Sequence, residues 1–208
     1  MKNDPIFWQL ILQAVLIALN AVFACAEIAV ITMNDAKLAK LASEGDKRAV
    51  RLARMTSQPA RFLATIQVAI TLCGFLGSAF AANNFAKRIT ESITLSGTAI
   101  SAQTVNTISV VIITLILTFV TLVFGELVPK RVAMKNAEKL ALGMSGLISG
   151  VAKIFAPLVW LLTVSTNGIL RLLGIDPNAE DEEVTEEEIR MMVDVGSEKG
   201  TIEAQEKE

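Results

Sequence analysis

The 208-residue chain has no histidine, no tyrosine and only two cysteines. Without imidazole, Ser-His-Asp and Cys-His catalysis and most zinc sites are excluded together. No other nucleophile, base and orienting group cluster along the chain, so an enzyme is not expected. Cys25 and Cys73 both fall in apolar runs, where a small polarizable side chain packs well and a disulfide has no special reason to form. Charge is also scarce: 19% of residues are Asp, Glu, Lys or Arg, against about a quarter in ordinary globular domains. What replaces it is apolar, 52% of the chain, with a mean hydropathy of +0.53.

The few charges are segregated. Residues 179–208 hold 12 acids and 3 bases, which leaves 9 acids and 16 bases for the rest. A net −2 therefore hides a body of +7 and an acidic segment of −9, the pattern of a basic membrane part with a solvated appendix. Three apolar stretches, about 6–32, 62–82 and 105–128, are long enough at 1.5 Å per residue to cross a hydrocarbon core of roughly 30 Å. A fourth, 154–173, is interrupted by Pro157, Asn167 and Gly168 and reads as interfacial. The expected fold class is an all-α membrane protein. It has three transmembrane helices, juxtamembrane amphipathic helices over about 34–59 and 137–173, and an acidic helical segment over 176–208. Residues 1–175 form the transmembrane domain.

Lys37, Lys40, Lys47, Arg48, Arg51, Arg54 and Arg61 lie between the first two stretches, whereas only Lys87 and Arg88 lie between the second and third. Because cytoplasmic loops retain Lys and Arg, this places the amino terminus outside and the carboxyl terminus in the cytoplasm. The basic loop has no interleaved aromatics, and topology accounts for its charge, so no nucleic-acid partner is expected. Its apolar residues gather on helical faces and predict two short helices hinged at Glu44-Gly45-Asp46. Ala24-Cys25-Ala26 has the form of a signal-peptide cleavage site, but positive charge follows the apolar run and does not precede it. Near the carboxyl end, Thr185 and Glu188 form a capping-box signal that predicts a helix to Val195.

Polar residues inside the spans fall on single faces. Gln13, Asn20 and Glu27 recur every seven residues, drifting only about 20° per step. Gln67, Thr71, Gly74 and Ser78 line the second span, beside a line of small residues at Ala69, Cys73, Gly77 and Ala81 that lets another helix approach. Thr107, Thr114, Thr118, Thr121 and Gly125 line the third, ending beside Glu126. An ionised Glu in a membrane helix costs at least about 2.5–3.5 kcal/mol on insertion scales, so Glu27 and Glu126 require a partner, a proton or a wet cavity. No Lys or Arg is expected at their depth, which points to a bound cation. Pro129 has no N–H, so the helical bond that would have gone to the Gly125 carbonyl cannot form, and an oxygen is released beside the Glu126 carboxylate. Hard cations such as Mg2+ and Na+ take such oxygen ligands. A plain proline kink with Glu126 reaching water is the structural alternative.

The stretches NAVFACAEIAVITMNDAKL at 20–38, RFLATIQVAITLCGFLGSAFAANNFA at 61–86 and VFGELVPKRVAMKNAEKLAL at 123–142 resemble the transmembrane domain of the CNNM/CorC family of magnesium transport proteins. The Gly-Glu-x-x-Pro-Lys element is the most specific. The resemblance implies a homodimer in the lipid bilayer that exports Mg2+ in exchange for Na+. It also implies that the acidic segment leads to a CBS pair lying beyond this sequence, through which alone ATP would enter. Glu126 and the Gly125 carbonyl are implied ion ligands, with Pro129 opening the helix. Glu27, Asn20, Gln67, Thr71 and Gly74 complete the candidate set. The chain departs from the family pattern at Ala24, where many members have serine, and at Ile70 and Gly74, where they have asparagine. Loss of those oxygens keeps open a second reading, a non-transporting membrane anchor or Mg2+ sensor that regulates another transporter.

Overall fold

The computed structural model describes residues 5–96, 100–176 and 191. Among them all regular structure is helical, so the all-α membrane fold is what the chain adopts. The helices are α1 (Pro5–Thr32), α2 (Asp35–Ser43), α3 (Lys47–Thr56), α4 (Pro59–Ala81), α5 (Lys87–Leu95), α6 (Ala102–Leu122), α7 (Val128–Lys135) and α8 (Ala137–Leu172). Two π-helical turns, Ala82–Ala86 and Val123–Leu127, join α4 to α5 and α6 to α7 without a break. The acidic segment and its capping-box helix at Thr185–Val195 lie, apart from Asp176 and Met191, outside the described residues.

Four helical rods are long and apolar enough to cross a membrane, not three: Ile6–Thr32, Pro59–Leu95, Ala102–Lys135 and Ala137–Leu172. The second and third rods outrun the apolar stretches because a π turn absorbs the polar Ala82–Ala86 segment in one and the Pro129 step in the other. The connection between the second and third rods is correspondingly short, with α5 reaching Leu95 and α6 starting at Ala102. The fourth rod corrects the interfacial reading of 154–173. Pro157 lies inside α8, where it removes one hydrogen bond without ending a helix whose neighbours are apolar and helix-favouring.

The chain divides into two compact units, Met1–Thr163 and Val164–Glu208. In the first, α1 is the central element, packed against α4 on one side and against the second π turn and α7 on the other. The small line of α4 faces α1: Ala69 and Ala81 are buried, and a methyl group at Gly77 would stand 3.0 Å from Gln13 Nε2. That line therefore serves packing within the chain. The core runs from Phe23, Ala26 and Val30 of α1 through Ile66 and Ala69 of α4 to Leu38, Ala49 and Leu52 of the basic hairpin and Leu142 and Ile148 of α8.

The basic hairpin is hinged at Gly45, whose φ of 90° is the left-handed conformation that closes α2: Asp46 N–H donates to the Leu41 carbonyl and Gly45 N–H to Ala42. Asp46 then caps α3, accepting from the Arg48 amide at 2.7 Å, and pairs with the Arg48 guanidinium at 3.1 Å. Those two bonds, the guanidinium first, hold the Asp46 carboxyl below the usual carboxylate range. In the second unit the end of α8 is closed the same way, by Gly174 at φ 77° with Ile175 N–H donating to the Leu170 carbonyl.

Candidate functional site between the first three spanning helices

The polar stripe of α1 turns inward, as membrane solvation requires: Gln13 and Asn20 are buried, and the Glu27 carboxylate is only 16% exposed. Asn20 reaches across to the third rod, where its Nδ2 donates to the Gly125 carbonyl at 3.0 Å. This is the oxygen that Pro129 cannot satisfy, and its partner is an amide of the same chain. The helix is also not opened there. A single wide turn, with Val128 N–H donating to the Val123 carbonyl, carries it past the proline into α7. At Gly125 α1 and this turn approach closely, since a methyl group there would sit 3.2 Å from Asn20 Nδ2 and 3.4 Å from the Ile17 carbonyl oxygen, as well as 3.3 Å from Thr121 Cγ2.

The expectation that no cation of the chain reaches the two carboxylates is corrected by Lys130. Its ammonium lies 2.8 Å from Glu126 Oε1 and 3.1 Å from Glu27 Oε2, bridging the first and third rods. The reason is helix continuity. Because α7 follows the π turn directly, Lys130 stands one turn beyond Glu126 on the same face, the i,i+4 relation that joins Glu to Lys. The Gly-Glu-x-x-Pro-Lys spacing carries that signal, but reading Pro129 as opening the helix at the end of the 105–128 stretch concealed it.

Beside this bridge a cleft of about 330 Å³ opens between α1, α4 and α6. Of the expected site residues, Asn20, Thr71, Gly74 and Glu126 line it. Ser78, Thr118 and Thr121, seen in the sequence as polar faces but not as ligands, line it too. Gly125 joins through Asn20, and Glu27 through Lys130. Gln67 is not brought in; it is exposed and donates to the Thr71 hydroxyl at 3.3 Å. Asn20 Oδ1 is buried and has no hydrogen-bond partner among the described residues, so an acceptor oxygen is left over in a side chain that borders the cleft. Ile70 also lines the cleft, so both departures in the second span, Ile70 and Gly74, fall on its wall. Among the described residues no three His, Cys, Asp or Glu side chains converge. A cation in this cleft would find one lining carboxylate, Glu126, together with hydroxyls, the Asn20 amide and its own water.

Comparison with known proteins places these features in a wider set. The chain matches the family described as "CNNM: Cyclin M transmembrane N-terminal domain" over residues 11–206. It is 36% identical to a UPF0053 protein of Synechocystis sp. over 208 residues, covering 100% of this chain and 46% of that protein. It is 30% identical to a protein of Haemophilus influenzae named "Polyamine export protein" over 203 residues, 97% of this chain and 46% of the relative. A UPF0053 inner membrane protein of Escherichia coli is 29% identical over 176 residues, 84% of this chain and 37% of the relative. The chain thus spans less than half the length of these relatives.

Proposed function

The chain belongs to the CNNM transmembrane-domain family, and from that membership we propose that it carries a cation across the membrane through the cleft between α1, α4 and α6. The observation that carries the proposal is one juxtaposition: Glu126 and Asn20, whose buried Oδ1 has no partner among the described residues, border a single cleft between helices long and apolar enough to span. Glu126 supplies the charge, Glu27 the second carboxylate, and Asn20, Thr71, Thr118 and Thr121 the neutral oxygens. Lys130 acts as a tethered counter-ion: its ammonium offsets one of the pair's two negative charges at rest and gives up its contacts when a mobile cation enters. The orientation follows the basic hairpin, with the amino terminus outside and the cleft filled from the cytoplasm. The exposed apolar face of α6, with Ile108, Ile112, Leu115 and Phe119, is the surface for lipid and for a second copy in the proposed homodimer.

The proposed cargo is Mg2+, moved outward in exchange for Na+, as the family resemblance implies. Mg2+ dehydrates reluctantly and keeps several waters, and a cleft of about 330 Å³ leaves room for them. A second reading has specific support. Ile70 and Gly74 remove two oxygens a metal would use, the carboxylate pair holds a primary ammonium, and one relative is named for polyamine export. An organic polyamine presents the same –NH3+ group on an apolar chain. The deciding experiment is flux from proteoliposomes of the purified chain, comparing Mg2+ with spermidine. Flux of either cation is expected, and Glu126→Gln is expected to cut it about tenfold or more, the loss of one charged contact. Unchanged flux in Glu126→Gln would sink the site, and no flux of either cation would leave the membrane anchor or sensor.

A further inference from the structure

A second concavity, of about 360 Å³, lies between the end of α3, the start of α4 and the middle of α8. Three cations meet on it, Arg54, Arg61 and Lys153, and no Asp or Glu lines it. This sets them apart from Lys37, Arg48 and Lys130, each of which is paired with a carboxylate. No ion pair or hydrogen bond of the Arg54, Arg61 or Lys153 side chain is found among the described residues. Between the charges stand the neutral groups of Gln58 and Ser149, and the floor is apolar, with Phe62 and Ile148 buried. Thr65, also on the wall, already spends its hydroxyl on the Arg61 carbonyl at 2.8 Å.

Depth decides what such a pocket would hold. Arg61 and Phe62 are in the first turn of the rod Pro59–Leu95, where a helix long and apolar enough to span meets the basic hairpin, and Lys and Arg clustered at such a junction suit headgroup level. One turn along α8 from Ala156 stands Trp160, 64% exposed, as an aromatic at the membrane interface does. A phosphate oxyanion suits two guanidinium forks and an ammonium, and an apolar floor leading to an exposed tryptophan suits the acyl chain that a free phosphate lacks.

We propose that the pocket of Arg54, Arg61 and Lys153 binds the phosphate headgroup of an anionic phospholipid and thereby fixes the basic hairpin and α8 to the start of the second spanning helix. The shared chemistry is phosphate, and a free phosphate is the competing source. The test uses the full chain in neutral detergent micelles, with melting temperature followed as phosphatidylglycerol, phosphatidylcholine or inorganic phosphate is added. A ligand that binds only the folded state raises that temperature saturably. Phosphatidylglycerol is expected to do so at low mole fraction, and phosphatidylcholine and inorganic phosphate are not. Arg54→Gln/Arg61→Gln/Lys153→Gln is expected to move the midpoint about 100-fold to higher lipid, roughly fivefold per charge. Lys87→Gln/Arg88→Gln, on the opposite connection, is expected to leave it in place. Should the triple variant fail to fold, Lys153→Gln alone, on an exposed side chain, is expected to give the fivefold shift. A wild-type midpoint in the variant that folds would overturn the proposal, and so would equal protection by inorganic phosphate, which would reassign the pocket to a soluble ligand.

Discussion

Lys130 sets one ammonium against two carboxylates from different helices, and that arithmetic governs what each residue contributes. With it in place, Glu27 and Glu126 are compensated in a poorly hydrated setting; without it, two like charges face each other at membrane depth. Truncating one partner of a fully buried pair costs about 3–5 kcal/mol. These side chains retain 16–30% exposure, so Lys130→Met is expected to cost less, about 1–3 kcal/mol of stability. Neutralising a carboxylate in the same chain should return part of that loss. Glu126→Gln/Lys130→Met is therefore expected to be more stable than the sum of its single changes predicts, with a coupling of about 1 kcal/mol or more in a detergent unfolding cycle. Strict additivity would mean that the bridge contributes nothing and that Lys130 is held by packing alone.

The element that matters most is the third rod, because its proline is accommodated and does not break it. Pro129 withdraws a donor from the Gly125 carbonyl, the helix widens by one residue through Val123–Leu127, and Asn20 of α1 supplies the missing N–H at 3.0 Å. The released oxygen was legible in the sequence, since it follows from the ring alone. Its partner was not, because Asn20 is 105 residues away and spacing within one helix carries no information about the facing one. The same limit hid the role of Gly125, which is a point of close approach between rods as much as a source of a carbonyl. Asn20→Leu should leave that carbonyl unpaired and cost about 1–3 kcal/mol. Pro129→Ala restores a backbone donor one turn later, so in that background the same Asn20→Leu change is expected to cost less than half as much by thermal or denaturant unfolding. An equal cost in both backgrounds would show that Asn20 contributes by filling space and not by bonding Gly125.

At the scale of the whole molecule, hydropathy gave the first three rods within a few residues of their apolar parts but undercounted their length and number. A window of apolar residues ends where polar ones begin. A helix end is set by backbone hydrogen bonding, which continues through Ala82–Ala86 and past Pro129 and Pro157. The second rod has 37 residues, about 55 Å at 1.5 Å each, so it outreaches a hydrocarbon core of roughly 30 Å and must stand in water or headgroups at one or both ends. The proposed orientation rests on charge: the basic hairpin precedes the rod, and only Lys87 and Arg88 stand near its far end. The two native cysteines are free and can be removed as Cys25→Ala and Cys73→Ala. In that background Ser57→Cys, an exposed position at the end of the hairpin, is expected to react with a membrane-impermeant maleimide only after the cells are opened. Ser96→Cys, exposed at the far end of the same rod, is expected to react in intact cells. Labelling of both from one side would deny that Pro59–Leu95 crosses the membrane. The reverse pattern would invert the orientation and put the mouth of the Glu126 cleft on the opposite face, turning the proposed export into uptake.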